Sequence, residues 1–136
     1  MNKPRKEGAQ GRRLLKRRIV VVVAPPVEEL DLVGPVQVLS AANRLSAKKV
    51  YSIEIVTNAK DLTVEGEGGI LSFLAQGRLR DVKGEIDSVL LVCGVGTRLV
   101  RDPVLSAWMR SVSPVIRRFG AVCVGSFLLA EAGLLS

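Results

Sequence analysis

Cys123 is the residue best placed for chemistry. It closes the apolar run Ala121-Val122-Cys123, and Gly125 opens the helix-forming segment Ser126-Phe127-Leu128-Leu129-Ala130. A strand that turns into a helix over a single cysteine has the layout of a nucleophile elbow. Such a turn holds the side chain at the carboxyl edge of a sheet, beside free helix N–H groups. Those groups and the helix dipole favour the thiolate, the form of cysteine that attacks electrophiles. A buried structural cysteine at a strand end gives the same pattern. The sequence contains no histidine, so a Cys–His dyad cannot be built within it. Chemistry at Cys123 would rest on a carboxyl group such as Asp31, since a protonated acid at hydrogen-bonding distance can hold a reactive thiolate.

The elements that must position these residues are legible in outline. Arg18 to Ala24 is a continuous β-branched run without alternation, which marks a strand buried on both faces of a parallel sheet, and Pro25-Pro26 ends it. From Asp31 to Ser46, apolar residues at 32, 36, 39, 42 and 45 trace a helical face, with Asp31 expected as N-cap and Pro35 in the opening turns. Tyr51 to Val56 alternates as a strand with one wetter face. Leu62 to Phe73 is expected to form a hairpin with Glu65 to Gly69 at its tip. Ser88 to Cys93 is a second buried strand, followed by the turn Gly94-Val95-Gly96-Thr97. Asp102-Pro103 opens an amphipathic helix carrying Leu105, Trp108 and Met109, which Ser113-Pro114 ends. Arg118 to Cys123 is expected as a third buried strand, and Ser126 to Ala132 as a last helix stopped at Gly133.

Strands alternating with helices predict a doubly wound, mostly parallel α/β sheet, whose working groups collect at the carboxyl ends of its strands. Three turns meet that condition: Ala24 to Asp31, Cys93 to Thr97, and Cys123 to Ser126. Gly94-x-Gly96 lacks the third glycine of a dinucleotide fingerprint. Its glycines suit a tight turn and close backbone approach instead. Glu28 and Glu29 read as solvated loop charges, with Glu28 free to contact a ligand.

Composition narrows the function classes. The 136 residues, 48% hydrophobic with a mean hydropathy of +0.30, suit one folded domain. The net charge of +7 is concentrated: residues 1–18 hold eight basic residues and one acid, leaving twelve of each sign in the body. The basic excess therefore describes a tail at 1–17, expected to be solvated and disordered, and not a nucleic-acid-binding face. The tail has no aromatic residue for a single-strand binding platform. Ile19 to Ala24 is too short for a secretory h-region, and no run reaches the length of a membrane span. Cys93 and Cys123, each in apolar strand-like surroundings, suit a reducing cytoplasm better than a disulfide scaffold. No metal-ligand spacing or cofactor motif is present, so neither a metal nor a cofactor is expected.

Three segments together resemble the ThiJ/PfpI superfamily of class I glutamine-amidotransferase-like domains: Glu29 to Val38 (ELDLVGPVQV), Val92 to Arg98 (VCGVGTR) and Val122 to Leu135 (VCVGSFLLAEAGLL). The nearest branch is the one fused to AraC-type helix-turn-helix domains. The resemblance spans about residues 18–135 and implies a flavodoxin-like, glutamine-amidotransferase-like fold for 18–136, incomplete at its carboxyl end. By position, Cys123 matches the family's elbow cysteine, and Asp31 matches the acid that contacts it in several branches, including isonitrile hydratases. The Gly94 turn matches the loop that supplies backbone N–H groups near the thiol. The backbone of Gly94, Val95, Val124 and Gly125 is thus implied as an oxyanion or ligand-binding site.

Two departures from the family pattern lean against catalysis. Val124 stands where Thr or His usually follows the cysteine, and Cys93-Gly94-Val95 stands where many members have Pro-Gly-Gly. Family members also continue past "AGLL" into further strands and, in the regulator branch, two helix-turn-helix units, so the chain is expected to be a truncated domain. The first reading is a non-catalytic, ligand-sensing half of a cytoplasmic, bacterial-type transcriptional regulator. It implies a small-molecule ligand, a homodimer, no membrane, and DNA contact only through a missing C-terminal helix-turn-helix domain. The second is a small cysteine-dependent hydratase or hydrolase of the isonitrile hydratase or glyoxalase-like type, and the third is a non-functional or dimerisation fragment.

Overall fold

A computed structural model describes residues 16–99 and 101–135. In chain order it contains β1 (Arg17–Ala24), α1 (Glu29–Leu45), β2 (Tyr51–Thr57), a hairpin of β3 (Thr63–Glu65) and β4 (Ser72–Leu74), and β5 (Gly77–Arg78). Then follow β6 (Ser88–Cys93), α2 (Pro103–Val112), β7 (Arg118–Ala121) and α3 (Gly125–Glu131). The main sheet has the order β5-β2-β1-β6-β7, and every pairing in it is parallel. The doubly wound, flavodoxin-like α/β architecture is therefore present.

The unbroken apolar run of β1 follows from its central place. Val20, Val22 and Ala24 face a cluster with Leu105 and Met109 of α2 and Leu128 and Leu129 of α3. Ile19, Val21 and Val23 face the opposite way, onto Leu32 of α1 and Val64 of the hairpin. Both faces are covered, so neither can be polar, and each enclosed valine contributes about 1.5–3 kcal/mol of burial.

Helix boundaries depend on what precedes them. α2 begins as expected: the Asp102 carboxylate accepts the Leu105 N–H at 2.9 Å, with Pro103 as the first helical residue. α1 differs. Its N-cap is Glu28, which makes no side-chain capping bond, and Asp31 is the third helical residue, not the cap. The cause is non-local. Val27 donates to the Glu65 carbonyl at 2.9 Å and accepts from the Glu67 N–H at 2.7 Å, which holds it extended until the helix starts. Glu29 is thereby inside the helix and half-buried, not a loop charge. At the far end, the Asn43 side chain bonds the backbone of Val50 and Tyr51 and fixes the entry into β2.

Other expectations also change. β7 is four residues long, half-exposed, and at the edge of the described sheet, so it is not a third fully buried strand. β5 and the single helical turn Leu79–Asp81 carry no sequence period, because two or three residues are too few to show one. Of the basic segment expected at 1–17, residues 1–15 lie outside the described residues, and Arg17 is the first residue of β1.

Candidate functional site

The strand order reverses between β1 and β6, and their last residues, Ala24 and Cys93, are register partners. In doubly wound sheets this is where a crevice opens at the carboxyl edge. After Ala24 the chain passes a cis Pro25-Pro26 bond to Val27, which forms a parallel bridge with Gly66 of the hairpin. The bridge carries the hairpin tip over the β6 turn, and Glu67 Oε1 there accepts the Gly96 N–H at 3.2 Å. The buried Thr97 hydroxyl lies 3.1 Å from both the Ala24 and Pro26 carbonyls and closes the turn from below.

Gly94 is the tightest point of this arrangement. Its N–H donates to the Pro26 carbonyl at 2.7 Å. A Cβ there would lie 2.6 Å from that carbonyl and would run into the Glu67 carboxylate. Gly94→Ala is therefore expected to cost about 1–3 kcal/mol through forced backbone displacement, read as a lower urea midpoint. In a Glu67→Ala background the cost should shrink without vanishing, because the Pro26 carbonyl remains. An unchanged midpoint would show that the turn is loose.

Cys123 has φ +50°, a left-handed conformation that L side chains rarely adopt, and its side chain is exposed. The strain, of order 1–3 kcal/mol, is held by neighbouring bonds. Val122 N–H donates to the Leu91 carbonyl at 2.9 Å, Gly125 N–H to Val122 at 2.9 Å, and the Ser126 hydroxyl to the Cys123 carbonyl at 3.0 Å. Gly125 is required by proximity: a Cβ would lie 2.9 Å from the Leu91 carbonyl oxygen. The strand–turn–helix expected around Cys123 is thus present, with α3 starting two residues later.

Asp31 lies in the first turn of α1, and its Oδ2 is buried without a hydrogen-bond partner. Pro35, four residues on, lacks the amide that would have bonded the Asp31 carbonyl. Cys93 connects these groups. Burial pushes its thiol up to about 11, and the neighbouring acidic groups Asp31 and Glu67 push in the same direction. Cys93 itself is thereby held neutral.

The four backbone positions implied for an oxyanion site divide in two. The Gly94 and Gly125 N–H groups are engaged by Pro26 and Val122, whereas those of Val95 and Val124 bond no group among the described residues. Glu67 is the site residue that the sequence reading missed. Its only local signal is an acid flanked by glycines in a hairpin tip that also holds Glu65, and its partner Gly96 is 29 positions away. Among the described residues, no group of three or more His, Cys, Asp or Glu side chains could hold a metal ion. No helix there is long and apolar enough to cross a membrane.

A parallel α/β sheet with a strained cysteine at its carboxyl edge defines a cysteine-elbow domain. Residues 17–136 match the DJ-1/PfpI family, and the chain belongs to that family. The HTH-type transcriptional regulator Rv1931c of Mycobacterium tuberculosis is 47% identical over 51 residues, covering 37% of this chain and 20% of the regulator. An uncharacterized Streptomyces lividans protein from the cpoL 5′ region is 35% identical over 121 residues, or 87% of this chain and 81% of that protein. A ThiJ/PfpI family protein from Pseudomonas syringae superposes with a TM-score of 0.72 at 26% identity, over 88% of this chain and 47% of its own. An AraC family transcriptional regulator from Pseudomonas putida shares the fold with a TM-score of 0.72 at 19% identity, over 86% and 71%. The segment matched to the mycobacterial regulator covers a fifth of that protein, and the chain spans about half of the P. syringae protein.

Proposed function

We propose that the chain is the ligand-sensing, amidase-like domain of an AraC-type transcriptional regulator and does not turn its ligand over. Cys123 and Asp31 mark the recognition site, and DNA is contacted through a separate helix-turn-helix domain. The observation that carries this reading is the 47% identity to an HTH-type regulator. The chemistry of the rim supports it: no histidine serves the thiol, Val124 offers no hydroxyl beside it, and the Gly94 amide is already spent on Pro26. Such a protein works in the bacterial cytoplasm, where the two free cysteines stay reduced. A homodimer suits the exposed apolar residues Leu30, Val33 and Leu74 on α1 and the hairpin.

The alternative is a cysteine-dependent enzyme of the isonitrile hydratase or glyoxalase-like type. The strained, exposed Cys123 and the unpartnered Asp31 Oδ2 favour it. In that reading the thiolate attacks an electrophilic carbon while Asp31 carries the proton. Turnover of cyclohexyl isonitrile, benzamide and methylglyoxal decides between them. The sensing reading expects rates equal to those of Cys123→Ser, and a rate that depends on Cys123 overturns it.

A further inference from the structure

Every strand of the main sheet runs parallel, so their amino ends share one edge, opposite the elbow. The body holds twelve residues of each sign, but the fold sorts them. Glu28, Glu29, Asp31, Glu65 and Glu67 gather at the elbow edge. At the amino edge, Lys16 and Arg17 open β1, Lys48 and Lys49 lead into β2, Arg44 lies in the last turn of α1, and Arg118 begins β7.

The acids near this edge are mostly paired already. Glu54 accepts from Arg18 at 2.8 Å. Asp87 accepts from Arg117 at 2.9 and 2.8 Å, and those bonds hold its carboxyl down at about 2. Among the described residues, the exposed Glu85 is left to oppose the remaining cations. Lys16, Arg44 and Lys49 are exposed and line one groove of about 480 Å3 with Ser40, Tyr51 and Ser52, and no acid is in its lining. The carboxyl end of α1 favours a cation at Arg44, but Lys16 and Lys49 arrive from other segments. Like charges brought together from separate segments repel unless an anion lies between them.

We infer that this edge binds the phosphate backbone of duplex DNA. Phosphate oxygens accept from Lys, Arg and hydroxyl groups, and the groove offers all three. The positive charge continues beyond the groove through Lys48 and Arg118, across strand starts that together span about 15 Å. A polyanion matches that span, whereas a single phosphate leaves most of it unmatched. Tyr51 is the one ring in the lining and is half-buried, so unstacked bases have no platform and a duplex is favoured over a single strand. A bilayer needs an apolar face to enter, and the exposed apolar residues beside the groove, Leu45 and Val50, are outnumbered by its cations. The helices present their carboxyl ends here, so none enters a groove of the DNA and the contact is independent of sequence. It goes beyond the sensing reading, adds to the contact of a separate helix-turn-helix domain, and does not depend on Cys123.

The test titrates the full chain onto a fluorescein-labelled duplex of about twenty base pairs and follows anisotropy across a salt series. Binding is expected with a Kd of about 1–100 μM at physiological salt, and log K should fall linearly with log salt. The triple variant Lys16→Gln, Arg44→Gln, Lys49→Gln should lower that slope by about two to three and weaken binding about tenfold or more. A second triple variant, Lys60→Gln, Arg80→Gln, Arg101→Gln, removes the same charge from exposed residues towards the elbow edge and should leave the slope unchanged. The basic residues of 1–15 are present in both variants, so their contribution cancels in the comparison. Should the groove variant fail to fold by circular dichroism, Lys49→Gln takes its place and should lower the slope by about one. Equal slope losses in the two triple variants would mean that net charge alone acts, and would overturn the inference. So would an unchanged slope in the groove variant, no binding at low salt, or tighter binding to phosphatidylserine vesicles than to the duplex at equal phosphate concentration.

Discussion

Leu91→Ala is expected to lower the free energy of unfolding by about 2–5 kcal/mol, the range for deleting an enclosed leucine side chain. Leu91 has no exposed surface and sits in β6 between Val22 of β1 and Ala121 of β7. Its side chain belongs to the cluster formed with Leu105, Met109 and Leu128. Hydrogen bonds to strands on both sides prevent β6 from moving to fill the space, so the cavity persists and its cost is added to the lost transfer energy. Against a typical total of about 5–15 kcal/mol, the loss is large enough to leave the domain marginal. The measurement is the urea midpoint, which should fall while the slope stays constant. The half-buried Leu90 points to the opposite face, and its alanine variant should lose less. A loss at Leu91 below about 1 kcal/mol would mean that α2 and α3 do not close that face. The site depends on the same residue, because the Leu91 carbonyl anchors Val122 and abuts Gly125 beneath the cysteine.

Features written in consecutive residues were legible in the sequence. The β-branched run of β1, the apolar run of β6, the Asp102-Pro103 helix start and the left-handed Gly133 after α3 each follow from local chemistry. The elbow belongs with them, since a strand end, a cysteine and a glycine two positions later suffice to place it. Features created by distant contacts were not legible. Asp31 reads as a cap until the bridge between Val27 and Gly66 moves the start of α1 back to Glu29. Glu67 has no meaning in its own segment and acquires one only when the hairpin folds over Gly96. Gly94 read as a backbone donor for a ligand, yet its N–H closes the turn against Pro26, a partner 68 positions earlier by the numbering. Likewise β7 has the composition of an interior strand, and its half-exposure arises from its place at the sheet edge. Sequence period reports what flanks a residue along the chain, whereas edge position and turn closure are decided by what arrives from elsewhere.

Iodoacetamide is expected to label native protein at Cys123 and to leave Cys93 untouched until the chain unfolds. Cys123 is exposed and Cys93 fully enclosed. With its thiol pushed up to about 11, Cys93 is a thiolate in only about one molecule in ten thousand at neutral pH. A thiol at the ordinary 9.0 would be so in about one in a hundred, so ionisation alone slows Cys93 about a hundredfold, before access is considered. Cys123→Ser should therefore abolish native labelling, with one thiol appearing in denaturant. The raised pKa has a second consequence. Cys93 keeps its proton in the folded state at pH values where the unfolded chain, near the ordinary 9.0, has lost it. The unfolded state then binds fewer protons, and stability falls as pH rises from about 9 to about 11, by up to about 2–3 kcal/mol. Cys93→Ala should flatten that part of the pH profile. The rate at Cys123 carries the functional weight. Labelling no faster than that of free cysteine at pH 7 agrees with a sensing site whose strained turn presents a thiol without activating it. A clearly faster rate, lost in Asp31→Asn, would mean that Asp31 holds a reactive thiolate and that the enzyme reading is the correct one.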